Sequence, residues 1–202
     1  MKNMKTFFLV IIFTILVEVL FSQNIILNEE FKNNNNNWTV TKTEEYVQKI
    51  KKGKYFLKHI SETGNFYSWI TCNFEENSEF VIEASFKKIS GVLNNGYGII
   101  WGGKDLSNHY EFQISGDGHY RIDKVENSKR IEVLAWTKST LINQGDGEKN
   151  ILSIKRIGTD IHLYINNTYV NYVKFSKFYG DNLGFVISQN QKISVDYIKV
   201  TN

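Results

Sequence analysis

From Gly96 to Val200 the chain is a nearly unbroken series of short segments in which apolar and polar residues alternate, separated by tight turns. Alternation with a period of two sends successive side chains to opposite faces, the signature of a half-buried strand. Strands are expected at residues 55–59, 66–74, 80–86, 97–101, 131–136, 151–156, 183–188 and 193–200, in addition to two hairpins. With about a dozen strands and no helix expected after the N-terminus, each sheet must bury its apolar face against another sheet. The fold class is therefore all-β: a two-sheet antiparallel β-sandwich, or jelly roll.

The hairpin over residues 108–124 fixes its own register. Tyr110, Phe112 and Ile114 share one face of the first strand, and Tyr120 and Ile122 share one face of the second. Placing both sets on the core side pairs Ile114 with Tyr120 and Phe112 with Ile122, leaving Gly116-Asp117-Gly118 as the loop with Gly118 left-handed. The other face then carries His109, Glu111, Gln113, Arg121 and Asp123, with Gln113 across from Arg121 and Glu111 across from Asp123. A second hairpin turns at Asn166-Asn167, two residues that tolerate positive φ. Leu163, Ile165, Thr168, Val170 and Tyr172 are expected on one face there, and Tyr164 meets Tyr169 on the other.

The N-terminus has the layout of a secretory signal: Lys2 and Lys5, an apolar stretch over residues 7–17, and Ser22 before Gln23. Interrupted by Glu18, the stretch is shorter than the roughly 20 apolar residues a spanning helix needs. The expected organisation is a signal peptide at 1–22, an N-terminal strand and polar loop at 23–37, and the sandwich at 38–202. No membrane span is expected after cleavage, and the mature chain is expected to be secreted, periplasmic or at the cell surface.

Signal removal takes away Lys2, Lys5 and Glu18 and lowers the net charge of +3 by one. Such a balance does not point to nucleic acid. Lys49, Lys51, Lys52 and Lys54 cluster, but without interleaved aromatics, and read as a solvated turn. The single cysteine, Cys72, excludes an internal disulfide; alternating with Ile70 and Phe74, it belongs on the core face. The Asn33 to Asn37 run reads as a polar surface loop leading to Trp38. His109 and His119 could approach each other near the hairpin loop, but two histidines make an incomplete metal shell, and they read as polar sheet-face residues.

The segments Gly96-Tyr97-Gly98-Ile99-Ile100-Trp101, Asn108-His109-Tyr110-Glu111-Phe112-Gln113-Ile114-Ser115, Gly118-His119-Tyr120-Arg121-Ile122, Asn150-Ile151-Leu152-Ser153-Ile154 and Ile161-His162-Leu163-Tyr164-Ile165-Asn166-Asn167 resemble the jelly-roll domains of the concanavalin A-like lectin/glucanase superfamily, in particular its laminin-G-like bacterial modules. The resemblance spans residues 38–200. It implies the sandwich but no single activity, because such folds host lectins, glycosidases and adhesion modules alike.

The glycosidases of that superfamily carry Glu-x-Asp-x-x-Glu on one strand, where period-two geometry aims the carboxylates the same way. The best local match starts at Glu83, but Ser85 and Lys88 stand at the other two positions. Glu111 and Asp123 are the remaining pair, and flanked by Arg121 and Lys124 they read as a polar sheet face. No catalytic residue is therefore assigned. Several members of the superfamily bind calcium through loop carboxylates; Asp105, Asp117, Asp146 and Asp181 fall in expected loops, but no contiguous ligand loop is visible, and neither a cofactor nor a metal site is assigned.

Sugar recognition sets aromatic rings against C–H faces and satisfies hydroxyls with amides, carboxylates and guanidinium groups. Tyr67 and Trp69, which alternate away from the Cys72 face, and His109, Glu111, Gln113, Arg121 and Asp123 make up the candidate ligand-binding set, which Trp101 and Trp136 could join. The expected partner is a glycan or other cell-surface polymer bound without catalysis; the rival is an envelope protein bound by a structural module.

Overall fold

A computed structural model describes residues 24–73, 75 and 77–202. The expected signal at 1–22 and Phe74 lie outside the described residues. Among those residues there is no helix; the strands are β1 (Ile25–Glu29), β2 (Thr41–Lys42), β3 (Tyr46–Ile50), β4 (Tyr55–His59), β5 (Asn65–Thr71), β6 (Phe80–Gly91), β7 (Gly96–Asp105), β8 (Asn108–Ser115), β9 (His119–Glu126), β10 (Lys129–Lys138), β11 (Lys149–Ile157), β12 (Asp160–Ile165), β13 (Thr168–Lys174), β14 (Asn182–Ser188) and β15 (Gln191–Thr201).

They form two antiparallel sheets. The larger runs β13-β12-β11-β6-β15-β4-β3-β2, with β1 also paired to β15; the smaller runs β10-β9-β8-β7-β14-β5. The alternating apolar residues meet between them: Ile99, Phe112, Ile114, Ile122 and Phe185 from the smaller sheet against Leu57, Ile82, Phe86, Leu152, Ile154, Leu163 and Val195 from the larger, all buried. Each such side chain removed from water contributes roughly 1.5–3 kcal/mol, and this core replaces the disulfides the chain does not have. Cys72 is buried, as its alternation implies, and burial pushes its thiol up to about 11.

The β8–β9 hairpin has the register derived from its alternation: Ile114 opposite Tyr120, Gln113 opposite Arg121, Phe112 opposite Ile122 and Glu111 opposite Asp123. Gly118 takes the left-handed conformation at φ 91°. The β12–β13 turn likewise places Asn166 and Asn167 at φ 50° and 65°, and Tyr164 opposite Tyr169. Beyond that pair the expected register fails. A bulge shifts the pairing so that His162 opposes Tyr172 and Ile161 opposes Val173. The one extra residue reverses the facing of β13, leaving Tyr172 exposed and packing Val173 against the core.

The segment before Trp38 is part of the sandwich. Phe31 is buried, with its ring 5.3 Å from Tyr55, and Trp38 stacks 5.0 Å from Phe185. The asparagine run is tied down by the buried carboxylate of Glu29, which accepts from Phe31 N, from Asn36 Nδ2 at 2.6 Å and from Trp38 Nε1 at 3.2 Å. Asn34 Nδ2 also donates to the Trp38 carbonyl at 2.9 Å. The basic cluster divides: Lys49 lies on β3, while Lys51, Lys52 and Gly53 make the β3–β4 turn, with Lys52 and Gly53 at positive φ.

Candidate functional site

On the outer face of the smaller sheet, register lines up two cross-strand rows. One runs Tyr67, Val186, Gly98, Gln113, Arg121; the next runs Trp69, Gly184, Ile100, Glu111, Asp123. Glycines in the middle of both rows keep the floor low while larger side chains rise at its ends. Tyr67 belongs to edge strand β5, yet its hydroxyl donates to Glu111 Oε1 on β8 at 2.9 Å. Arg130 belongs to the opposite edge strand, β10, and its Nη1 donates to Glu111 Oε2 at 2.8 Å and also to Asp123. In a flat six-stranded sheet the edges would stand about 24 Å apart, five strand spacings; here side chains from both edges converge on Glu111, and a depression opens on this face, which is concave. Two register shifts, between Glu132 and Leu134 and between Leu134 and Thr137, interrupt the pairing of β10 with β9.

Glu111 is the hub. Besides Tyr67 and Arg130, it accepts from Gln113 Nε2 and lies 2.9 Å from His109 Nε2, whose other ring nitrogen is 3.2 Å from the Asp105 carbonyl. Arg121 Nε lies 3.0 Å from Asp123 Oδ2, an ion pair lacking hydrogen-bond alignment, so that Arg121 Nε and Gln113 Oε1 stay buried without a bond. The Arg121 guanidinium stacks 4.7 Å from the Trp136 ring centroid. Gly96 makes room for this arrangement: a Cβ there would fall 2.1 Å from Gln113 Oε1 and 3.1 Å from the Trp136 ring.

The sequence-derived candidates do share this face, but not as an exposed ladder. His109, Glu111, Gln113 and Asp123 are buried, because β10 and the edge aromatics cover them. Two carboxylates opposite each other in a desolvated layer require counter-charge, which Arg121 and Arg130 supply. Burial by itself would raise the Glu111 carboxyl, but His109 and Arg130 outweigh it and hold it at about 2. Burial dominates at Asp123 and raises its carboxyl despite both arginines. Burial also lowers Arg121 against the pull of Asp123, whereas at Arg130 the Glu111 and Asp123 contacts overcome burial and raise it.

Above the sealed layer is an open depression of about 320 Å³ lined by Gly64, Asn65, Tyr67, Arg121, Arg130 and Gln189. When the Asn65 amide is turned so that its nitrogen donates to Ser188 Oγ, its oxygen lies 2.8 Å from Arg130 Nη2. Trp69 and Trp136, both partly exposed, stand on the strands that bound this face. Neither Glu111 nor Asp123 lines the opening, which presents guanidinium, amide and phenol groups beside indole rings.

Other expectations are corrected. Trp101 is in the core, stacked 5.5 Å from Tyr110, and does not join the site. His109 and His119 begin successive strands of the hairpin and lie at its opposite ends; His119 pairs instead with Asp117 at 3.1 Å. Among the described residues no group of three or more His, Cys, Asp or Glu side chains is placed to hold a metal. Asp105 caps its own turn through Ser107 N and Asn108 Nδ2, and Asp117 accepts from Ser115. Glu83 is on the larger sheet, accepting from Ser153 Oγ at 3.0 Å and Tyr197 OH at 2.8 Å. Sequence reasoning missed Arg130; the facing acids were the signal that a second cation was needed.

No protein-family model and no curated protein matches the chain. Solved structures do. A carbohydrate-binding module, CBM66 from Bacillus subtilis, superposes with a TM-score of 0.61 at 17% identity, covering 82% of this chain and 95% of its own. The metal-free carbohydrate recognition domain of Emp46p gives 0.61 at 13% identity, over 87% and 94%. A protein of unknown function with a galectin-like fold, from Bacillus subtilis, gives 0.62 at 12%, over 88% and 96%. These likenesses establish the fold: a jelly-roll β-sandwich.

Proposed function

We propose that the chain is an exported, noncatalytic glycan-binding module whose ligand docks on the concave face of the smaller sheet, against Arg121, Arg130, Tyr67, Asn65 and the flanking Trp69 and Trp136. The observation that carries this reading is the stacking of the Arg121 guanidinium on Trp136 beside an open polar depression. A rigidly held donor next to an aromatic ring suits a sugar, which offers hydroxyl acceptors and an apolar C–H face together. Glu111 and Asp123 act here as supports that fix the arginines, in the way buried partners orient the groups that touch a ligand. The likeness of fold to a carbohydrate-binding module and to a carbohydrate recognition domain adds support.

The sandwich is proposed to occupy the mature chain after a signal at 1–22, outside the cytoplasm. A second reading, an envelope module that binds a protein, draws on Ile131 and Val133, exposed on edge strand β10. Glycan-array binding by the chain from Gln23, with calcium and with chelator and alongside Arg121→Ala, separates the two. Selective binding lost in the variant supports the glycan reading; silence from folded protein removes it and favours the protein-binding one.

A further inference from the structure

The outer face of the larger sheet carries charge that the concave site does not use. Register sets Lys192 on β15, Lys58 on β4, Val47 on β3 and Lys42 on β2 in one row, with Ser194, Phe56 and Lys49 in the adjoining row. Cross-strand partners share a face, and four neighbouring strands span about 15 Å, so four ammonium groups crowd one small area. The four lysines, Val47 and Phe56, together with Val40 and Thr41, line a depression of about 560 Å³. Its floor is Phe56, whose ring centroid lies 5.8 Å from Lys49 Nζ and 5.7 Å from Lys192 Nζ.

Elsewhere on this face Lys54 and Lys149 both pair with Asp196. Among the described residues no ion pair engages Lys42, Lys49, Lys58 or Lys192, although Lys192 and Lys58 stand directly opposite each other. Like charges placed so destabilise a sheet, a cost that a bound polyanion turns into attraction.

We propose that the groove across β2, β3, β4 and β15 binds a linear anionic polysaccharide bearing sulfate or carboxylate groups, independently of the concave site. The chemistry selects among polyanions. Lysine ammonium groups meet sulfate or carboxylate as point charges. A single aromatic ring already covered by lysines gives no ladder on which successive bases stack. A concave groove with a sunken ring also fits a polymer chain better than a flat lipid surface, which interfacial elements enter with projecting apolar side chains.

The test uses the chain from Gln23 with heparin for sulfate and polygalacturonate for carboxylate, by affinity electrophoresis at about 50 mM salt, where released counterions favour binding. Single-stranded DNA and phosphatidylglycerol vesicles are the competing arms. At least one polysaccharide is expected to retard the protein, with a salt dependence that becomes shallower and an affinity that falls at least about tenfold in Lys58→Gln/Lys192→Gln. Arg121→Ala should bind as the parent does, which separates this groove from the concave site, and a melting temperature of the lysine variant no lower than the parent's excludes misfolding. The proposal is overturned if neither polysaccharide binds, if the lysine variant keeps full affinity, if Arg121→Ala abolishes binding, or if DNA or vesicles bind more tightly than both polysaccharides.

Discussion

Arg130 Nη1 lies 2.8 Å from Glu111 Oε2 and also donates to Asp123, so one guanidinium from edge strand β10 locks carboxylates on β8 and β9 together. Removing it leaves the two buried carboxylates with only Arg121 and His109 beside them. Arg130→Ala is expected to destabilise the fold by about 2–4 kcal/mol, toward the lower part of the range for a broken buried pair because the Arg130 side chain is 34% exposed. In a domain of this size that lowers the melting temperature by on the order of 10 °C. Calorimetry of the variant checks this, and a melting point equal to the parent's would show that the bridge contributes nothing.

Glu111 sets an acid limb. Its folded carboxyl is held at about 2, below the ordinary 4.5, so its contribution is fully present above the unfolded value and is lost as pH falls toward 2. The full shift corresponds to about 3 kcal/mol. Asp123, raised by burial, works in the opposite sense, since its contribution is present at low pH and lost as pH rises through its folded value. The observed acid loss should therefore fall short of the Glu111 figure. Urea unfolding of Glu111→Gln from pH 5 to 2 should show lower stability at pH 5 and a flatter slope than the parent; parallel curves would contradict the assignment.

Gly96→Ala tests the packing of the concave face. The added methyl collides with the Gln113 amide and presses on the Trp136 ring, so both must shift and Trp136 lose its register with Arg121. The expected outcome is a changed Trp136 emission, read against a Trp136→Phe background, with weakened glycan binding. An unaltered spectrum would place Trp136 away from this face.

At the N-terminal end, Glu29→Ala removes the acceptor for Phe31 N, Asn36 and the Trp38 indole. Leaving buried donors unpaired costs roughly 1–3 kcal/mol. The residue 33–37 loop should open, and acrylamide should quench Trp38 more readily than in the parent.

The β8–β9 pairing was legible because its two strands carry opposed requirements, apolar residues inward and polar residues outward, that one register alone satisfies. Alternation assigns a side chain to a face, however, and says nothing of what covers that face. Arg130 reaches Glu111 across the intervening strand β9, a contact between strands two apart that leaves no local pattern. Lys129-Arg130 reads locally as exposed polar sequence. The same limit applies to β3, where Lys49 to Lys54 masks a short strand, and to β13, where the bulge after Tyr169 cannot be told from plain alternation.

The proposed glycan ligand sits against Arg121 and its stacking partner, Trp136. Titration calorimetry of an array-selected glycan into parent and Trp136→Ala protein tests this placement most directly, since the indole is 36% exposed and its loss should spare the core. Binding should weaken at least about tenfold with the melting temperature nearly unchanged. Full affinity in the variant would contradict it and move the glycan to another surface.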